Sequence, residues 1–175
     1  VLVQCLEALG CSVSLAAPTG KAAKRLSEVV GREARTVHRL LGAGPTGFHH
    51  GRGLPLPYDA VIVDEASMLD TQLARALVSA VGPASQLILV GDADQLPSVG
   101  PGQVLRDVLA SQVVPAVQLE TVFRQAARSH IVTYAHQIRA GVVPSLAGPP
   151  ALRSGVDCVF VPVDATSVAE TATRW

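Results

Sequence analysis

The chain has 175 residues, 49% of them apolar, and its 14 Lys and Arg balance 14 Asp and Glu. This length and apolar content suit one domain with a sizeable core, with room for the start of a second domain. A formal net charge of zero leaves no global field that would argue for nucleic acid, and the sequence contains no signal peptide or membrane span.

The cysteine content suits a reducing compartment, so we expect a cytoplasmic protein without membrane contact. Three cysteines have neither disulfide nor metal spacing: Cys5, Cys11 and Cys158. The chain opens at Val1 within a helical pattern, and we expect it to be a piece of a longer protein. Between Lys21 and Arg39, six basic residues stand against two acidic ones. That local excess suits either phosphate contacts or a solvated helical face.

Caps, apolar periodicity and Gly or Pro breakers divide the chain into alternating helices and strands. The predicted elements, in chain order, are a helix at 1–9, a strand at 12–17, helices at 20–30 and 37–41, a loop or small hairpin at 43–58, a strand at 60–65, a helix at 68–81 capped by Ser67, a strand at 87–92, a helix from Gly102 to about 110, a strand near 116–119, a helix at 128–140, and a strand at 158–163 before the first turns of a last helix.

Two strands, 60–65 and 87–92, contain uninterrupted apolar runs that end in acidic residues. Continuous runs are typical of strands buried on both faces of a parallel sheet. Strand–helix alternation then predicts an α/β three-layer sandwich with a mostly parallel sheet. Ligands of such sheets bind at the carboxyl ends of the strands. Four polar residues fall at those ends: Asp64, Glu65, Asp92 and Gln95.

Asp64 and Glu65 form the first candidate pair of functional side chains. Asp64 can hold Mg²⁺ through its water shell, while Glu65, pointing elsewhere, can orient or deprotonate an attacking water. The alternative is that the acidic pair only favours the N-terminus of the next helix.

The stretch GDADQLPSVGPG, residues 91–102, places Asp92 and Gln95 at the end of the second strand, 87–92. An amide at Gln95 can contact a γ-phosphate or the attacking water, and so sense whether ATP or ADP is present. The alternative is a polar loop that only caps the strand.

Arg124 is a third candidate, because it follows the predicted strand near 116–119. A guanidinium there can stabilise charge on a transferring phosphoryl group. The alternative is an ordinary salt bridge, for which Glu120 is the nearby partner.

The stretch APTGKAAKRL, residues 17–26, contains a Gly-Lys pair but is not a phosphate-binding loop. That loop requires G-x-x-x-x-G-K-[ST], whereas Leu15 precedes Gly20 by five positions and Ala22 follows Lys21. No other stretch of the chain fits the pattern.

The ordered motifs APTGKAAKRL, TVHRLLG, VIVDEASM, GDADQLPSVGPG and TVFRQAA resemble the first motor domain of superfamily 1 helicases. The resemblance covers about residues 1–142 and is strongest to the RecD-like branch, which includes the exodeoxyribonuclease V alpha subunit and helicase halves of conjugative relaxases. It implies a RecA-like P-loop NTPase fold. Its most specific part is G-D-x-x-Q-L-P, which begins 27 residues after Asp64.

The resemblance implies that ATP and Mg²⁺ are the cofactors and that Glu65, Gln95 and Arg124 serve catalysis. The nucleotide would be bound by Asp64, Asp92, Gln95 and Arg124, and Asp64 would hold Mg²⁺ through water. The partner would be single-stranded DNA or a duplex junction, with further nuclease or helicase subunits if the protein belongs to exodeoxyribonuclease V. Translocation would run 5′ to 3′, in recombination or repair.

The resemblance also implies that residues 17–26 contact DNA. Pro18 and Thr19 would face the single strand with Lys21 nearby, and a helix N-terminus suits a backbone phosphate. Thr36 and His38 would make a second contact. The alternative for this second pair is that Thr36 is only a helix cap and that His38 is partly buried polar packing.

We expect the domains to be a motor domain at 1–142 and, at 143–175, a linker with the start of a second motor domain. Residues 43–58 occupy the place where RecD-like enzymes insert a small hairpin that splits the duplex. The resemblance implies that Phe48 lies near the tip of this hairpin, and a disordered linker is the alternative.

The fold is expected to lack the P-loop strand, which by resemblance lies just before Val1, and this should leave unpaired edges beside the 60–65 strand. The 175 residues alone are therefore expected not to turn over ATP. Two rival functions remain: a non-catalytic ATPase-like module that binds DNA or protein, and an RNA-directed helicase of the same superfamily.

Overall fold

A computed structural model of the chain describes residues 1–119, 129–145 and 157–174, in two compact units, Val1–Ala116 and Val117–Trp175. The expected division into a motor domain and a linker near residue 142 concerns function rather than packing, and it stays a prediction. Among the described residues, no helix is both long and apolar enough to cross a membrane.

The first unit alternates strands and helices, as the sequence predicts. Its elements are α1 (Leu2–Ala8), β1 (Val13–Ala17), α2 (Gly20–Val30), β2 (Ala34–Thr36), α3 (Val37–Leu40), β3 (Ala43–Gly44), β4 (Gly47–Phe48), β5 (Ala60–Val63), a 3₁₀ turn (Ala66–Met68), α4 (Thr71–Ala80), β6 (Gln86–Leu89) and α5 (Val104–Ser111).

Four strands form one parallel sheet in the order β2-β1-β5-β6. In the register, Leu15 of β1 pairs with Ile62 of β5, and Ile62 pairs with Ile88 of β6. The chain moves outward from β1 to β2 in one direction and from β5 to β6 in the other, so the order reverses between β1 and β5. Strands β3 and β4 form a separate antiparallel hairpin within the stretch where a loop or a small hairpin is expected.

Alternate residues of the central strands pack on opposite faces of the sheet, which makes the expected three-layer α/β sandwich. Ala16, Val61 and Val63 pack on the face covered by residues of α3, α4 and α5. Leu15 and Ile62 face the other way, against residues of α1 and α2. Successive side chains of a strand point to opposite faces of the sheet, and helices cover both faces. Both sets of side chains are therefore apolar, and the runs do not alternate with polar residues.

Short polar side chains cap the N-termini of helices α2 and α4. Thr19 Oγ1 accepts a hydrogen bond from the Ala22 N–H at 3.2 Å, and Asp70 Oδ1 accepts one from the Leu73 N–H at 2.7 Å. The predicted cap of the second helix, Ser67, is therefore wrong. Ser67 lies in the 3₁₀ turn that precedes the helix, and the helix begins only after the chain has turned again at Asp70.

Three strand assignments differ from the prediction. The short edge strand β2 was missed because its sequence, Ala-Arg-Thr, has no apolar run. The strands predicted at 116–119 and 158–163 are absent, since neither run has a neighbouring strand among the described residues to complete its backbone hydrogen bonds. Val117 and Leu119 are accordingly almost fully exposed.

The unpaired sheet edge does not lie where it is expected. Strand β5 pairs with β1 on one side and with β6 on the other, so no gap adjoins it. Among the described residues the two strands without an outer neighbour are the short β2 and β6, and in β6 Leu87, Ile88 and Leu89 form an apolar run like that of β5. All residues of β5 are buried, whereas these three are only half-buried.

The second unit contains α6 (His130–Arg139), which confirms the helix predicted at 128–140, and α7 (Val168–Arg174) after a 3₁₀ turn. Ser129 caps α6 by accepting from the Val132 N–H, and Asp157 Oδ1 accepts from the His130 N–H at 2.7 Å. Hydrogen bonding from Ser129 is the main cause that lowers the pKa of the Asp157 carboxyl.

Asp59 ties the amino ends of β1 and β5 together. Its Oδ2 accepts hydrogen bonds from the Ser12 hydroxyl at 2.6 Å and from the Ser12 N–H at 2.7 Å. The hydroxyl, and then the backbone N–H, lower the pKa of the Asp59 carboxyl. Because this pKa is lower in the folded chain than in the unfolded one, the ionised carboxylate stabilises the fold.

We predict that Asp59→Asn lowers the melting temperature of the chain at pH 7. The stabilisation is complete above the unfolded-chain pKa of about 3.9 and disappears as pH falls through the lower folded-state pKa. Thermal unfolding followed by circular dichroism from pH 7 to pH 3 should therefore show the two proteins converging in acid. Ser12→Ala combined with Asp59→Asn should cost less than the sum of the single changes. A gap between the proteins that is constant with pH would contradict this account.

Candidate functional site

The carboxyl ends of all four parallel strands lie at one edge of the sheet. Ala17 of β1 pairs with Thr36 of β2, and Val63 of β5 pairs with Leu89 of β6, so the strands end close to level with one another. The sheet edge thus has two halves, one after β1 and β2 and one after β5 and β6. They meet where the strand order reverses, which is where open α/β sheets bind their ligands.

Asp64 and Glu65 follow β5 in a tight turn, and both are half-buried. The Asp64 N–H continues the ladder to Ala16 O at 2.9 Å, and Asp64 Oδ1 accepts from the Glu65 N–H at 3.0 Å. Glu65 has φ 54° and ψ 39°, a left-handed conformation that a residue with a Cβ seldom adopts. This conformation turns the chain sharply directly after β5.

The acidic pair fits a magnesium–nucleotide complex better than a metal held by protein alone. No group of three or more His, Cys, Asp or Glu side chains in the described part of the chain is placed to hold a metal ion. Mg²⁺ in nucleotide sites is bound by one or two carboxylates, with water and phosphate oxygens completing the shell. Asp64, whose Oδ1 is engaged only by the neighbouring N–H, supplies a ligand of this type.

The loop after β6 is held against the turn after β5 at its start. The Ala66 N–H donates to Val90 O at 2.9 Å. A Cβ on Gly91 would lie 3.0 Å from Ala66 N and 3.1 Å from Ser67 N, so only glycine fits there without displacing backbone. The two strand ends are therefore in direct backbone contact.

The same loop is held at its far end by the beginning of α4. Pro101 O accepts from both the N–H and the hydroxyl of Thr71, each at 2.9 Å. Gly102 has φ +97°, and a Cβ there would overlap Thr71 Oγ1. Pro101 and Gly102 therefore fix the far end of the loop.

Between these two attachments, the polar residues of the loop form a turn. Asp92 Oδ1 accepts from the Asp94 N–H at 2.9 Å, and Asp92 O accepts from the Gln95 N–H at 3.3 Å. Gln95 is exposed and lines a cleft of about 260 Å³ together with Ser67, Gln103, Leu105 and Arg106. The amide therefore lies on the loop that contacts the turn carrying Asp64 and Glu65.

The residues expected to contact DNA occupy the other half of the edge. Thr36 Oγ1 accepts from the Arg39 N–H at 3.1 Å, so Thr36 is a helix cap like Thr19. Pro18 directly follows β1, and Lys21 is exposed in the first turn of α2. The cap role of Thr36, weighed as an alternative to a DNA contact, is thus present, although a cap does not prevent contact with a phosphate.

His38 is exposed and lies beside the β3–β4 hairpin rather than in buried packing. Its ring centroid is 5.9 Å from that of Phe48, which is itself 39% exposed. The hairpin is therefore in contact with the helix that begins at Thr36.

Ion pairs engage half of the basic residues between positions 21 and 39. Arg32 pairs with Glu7 at 2.6 Å, and Arg35 pairs with Glu33 at 2.9 Å, an interaction that lowers the pKa of Glu33. Lys24 lies 4.0 Å from Glu28. Three cations make no ion pair within the described ranges: Lys21, Arg25 and Arg39.

The structure thus places the predicted residues in two groups on one edge: Asp64, Glu65, Asp92 and Gln95 after β5 and β6, and Pro18, Thr19, Lys21, Thr36 and His38 after β1 and β2. Arg124 lies outside the described residues. Sequence reasoning missed the position of Ser67 in the cleft, because an Asp-Glu-Ala-Ser run before a helix favours a cap at the serine.

Comparison with known proteins supports the resemblance drawn from the motifs. A model of the AAA domain family matches residues 1–156. The ATP-dependent RecD2 DNA helicase of Deinococcus radiodurans is 50% identical over 139 residues, which cover 79% of this chain and 19% of that protein. The RecBCD enzyme subunit RecD of Mycobacterium tuberculosis is 42% identical in an alignment of 165 positions that covers 82% of this chain and 28% of the relative.

A more distant relative matches about half of the chain. The ATP-dependent DNA helicase dda of Enterobacteria phage T4 is 35% identical over 101 residues, 54% of this chain and 23% of the phage protein. The chain therefore spans about a fifth to a quarter of the length of these relatives. The family model covers nearly all of the first unit's elements and both halves of the sheet edge, and the chain belongs to the AAA domain family, in its RecD-like branch.

Proposed function

We propose that the chain is part of an ATP-dependent DNA helicase motor, in which β5 and β6 carry the nucleotide residues and β1 and β2 carry the DNA residues. The observation that supports this most directly is the backbone contact between the two strand ends after β5 and β6, where Ala66 donates to Val90 and Gly91 packs on the turn. That contact holds the loop that carries Gln95 against the turn that carries Asp64 and Glu65, which supports a shared role of these residues at a nucleotide site.

In this proposal each polar residue of the nucleotide half has one task. Glu65 accepts a proton from the attacking water as a general base. Gln95 donates from its amide to the γ-phosphate or positions the water, and Arg124 stabilises charge on the transferring phosphoryl group. Asp64 binds Mg²⁺ through water, and Asp92 orders the turn that carries Gln95. Mg²⁺, when bound, offsets negative charge on the phosphates.

The free edge of β6 supports the presence of a further strand in the working motor. Strand β6 has three consecutive apolar residues, which is the composition of an interior strand. These residues are nevertheless only half-buried, on an open sheet edge. We propose that a strand outside the described residues pairs with β6 and brings a phosphate-binding loop beside Asp64. Backbone N–H groups of such a loop would supply the cradle that residues 17–26 do not form.

The DNA half suits a backbone contact without sequence preference. The α2 and α3 N-termini open at adjacent strand ends, and Lys21 and Arg39, which make no ion pair with another described residue, add positive charge nearby. Phosphate and sugar contacts of this kind fix the strand but carry little base information. The relatives named as DNA helicases favour DNA over RNA as the substrate, and the RecBCD subunits among them suggest nuclease and helicase partners.

Glu65→Gln should abolish ATP turnover in the product of the complete gene. General-base catalysis contributes about 10²- to 10⁴-fold, so we expect a loss of kcat of about 10³-fold with nucleotide binding retained. Phosphate release in the presence of single-stranded DNA measures turnover. Glu28→Gln is the matched control, because it removes an exposed carboxylate of α2 that lies 4.0 Å from Lys24. Turnover of the Glu65 variant within tenfold of the unaltered protein would contradict the assignment.

The 175-residue chain alone is expected to show no ATP turnover, since it contains no G-x-x-x-x-G-K-[ST] stretch to hold the phosphates. The same phosphate-release assay, run beside the product of the complete gene, measures this. Turnover by the chain alone that is lost in Glu65→Gln would show that another part of it binds the phosphates.

Lys21→Ala should weaken binding to a single-stranded oligonucleotide and flatten its dependence on salt. Loss of one phosphate contact to single-stranded DNA reduces the slope of log K against log [salt] by about 0.7. Fluorescence anisotropy with a labelled oligonucleotide over a salt series measures both effects. Lys24→Ala, one turn further along α2, is the control and should leave the slope unchanged. Equal slopes for the Lys21 variant and the unaltered protein would remove Lys21 from the DNA site.

A further inference from the structure

The Ser67 hydroxyl is a buried polar group without a partner. Ser67 is 7% exposed, and its Oγ makes no hydrogen bond within the described part of the chain. Buried hydroxyls are normally hydrogen-bonded, because an unpaired one loses its contacts with water and gains nothing in return. An unpaired hydroxyl two residues after Glu65 therefore calls for an explanation from the working cycle of the site.

Ser67 lines the cleft of about 260 Å³ that is also lined by Gln95. Of the other polar side chains there, Gln103 Oε1 is already engaged, since it accepts from Arg106 Nη1 at 3.0 Å. The side-chain amide of Gln95 makes no hydrogen bond to any described residue. Ser67 and Gln95 are thus two unpaired polar groups that line one small cleft.

The attachment of the loop at both ends keeps Gln95 near this hydroxyl. Gly91 packs against the backbone nitrogens of Ala66 and Ser67, and Pro101 is held by Thr71. The residues between them, 92–100, form an arch, of which residues 93–97 line the cleft together with Ser67. An inward shift of this arch would close the cleft.

We propose that Ser67 is a positioning residue for Gln95, an inference that rests on the proposed nucleotide role of Gln95. When the arch closes, Ser67 Oγ–H donates to Gln95 Oε1. Because the two ends of an amide differ, this bond orients the Gln95 NH₂ outward, where its N–H donates to the γ-phosphate. Ser67 thereby selects one of two amide orientations and completes its own hydrogen bonding in the same step.

The test is a double-mutant cycle in the product of the complete gene, with steady-state ATP hydrolysis as the readout. Ser67→Ala should lower kcat about tenfold, which corresponds to about 1.4 kcal/mol, and leave KM for ATP within about twofold. In a Gln95→Ala background the same change should alter kcat by less than about twofold, since the partner is already missing.

The melting temperature separates this role from a structural one. Removing an unpaired buried hydroxyl should leave the melting temperature of Ser67→Ala unchanged or raised. The matched control is Ser85→Ala, whose hydroxyl donates to Tyr58 O at 2.7 Å away from the cleft. That variant should melt at a lower temperature and keep its kcat, the opposite pattern.

A second readout follows the arch directly. A non-hydrolysable ATP analogue should slow amide hydrogen exchange across residues 92–97 in the unaltered protein and much less in Ser67→Ala. Suppose that Gln95→Ala lowers kcat. If Ser67→Ala then lowers kcat equally with Gln95 present and with Gln95 replaced, or lowers it in neither case, the positioning role is wrong and the proposed function stands. If Gln95→Ala leaves kcat unchanged, both fail.

Discussion

The parallel pairing of β5 with β1 on one side and β6 on the other is the constraint on which the site depends. It aligns the carboxyl ends of the strands, so that side chains distant in sequence meet at one edge. The pairing is maintained by burial on both faces, with Val61 and Val63 facing one layer of helices and Ile62 the other. A charged residue at any of these three positions would separate the strand ends as well as unfold the core.

The sheet edge therefore carries two separate groups of polar residues. After β5 and β6, a polar loop is held against the acidic turn at Gly91 and against the start of α4 at Pro101, an arrangement that suits the proposed nucleotide site. After β1 and β2, capped helix N-termini and exposed cations suit a polyanion that stays. Since β1 pairs directly with β5, the two halves of the edge are joined by adjacent, packed strands.

The sequence predicts the order of the elements well, and it also predicts that the candidate residues lie at the strand ends, because the apolar runs, caps and motif spacings are local signals. It fails where partners decide the outcome. The β2 strand exists because β1 offers an edge, and the 116–119 run is not a strand because no described neighbour pairs with it. The position of Ser67 was missed for a similar reason, since the cleft that Ser67 lines is formed in part by the loop after β6.

A crystal structure of the product of the complete gene with a non-hydrolysable ATP analogue and a single-stranded oligonucleotide tests the shared edge most directly. We expect the phosphates of the analogue beside Asp64 and Gln95, and the oligonucleotide backbone across the N-termini of α2 and α3, near Thr19 and Thr36. Electron density for the nucleotide or the oligonucleotide on another face of the sheet would contradict the account.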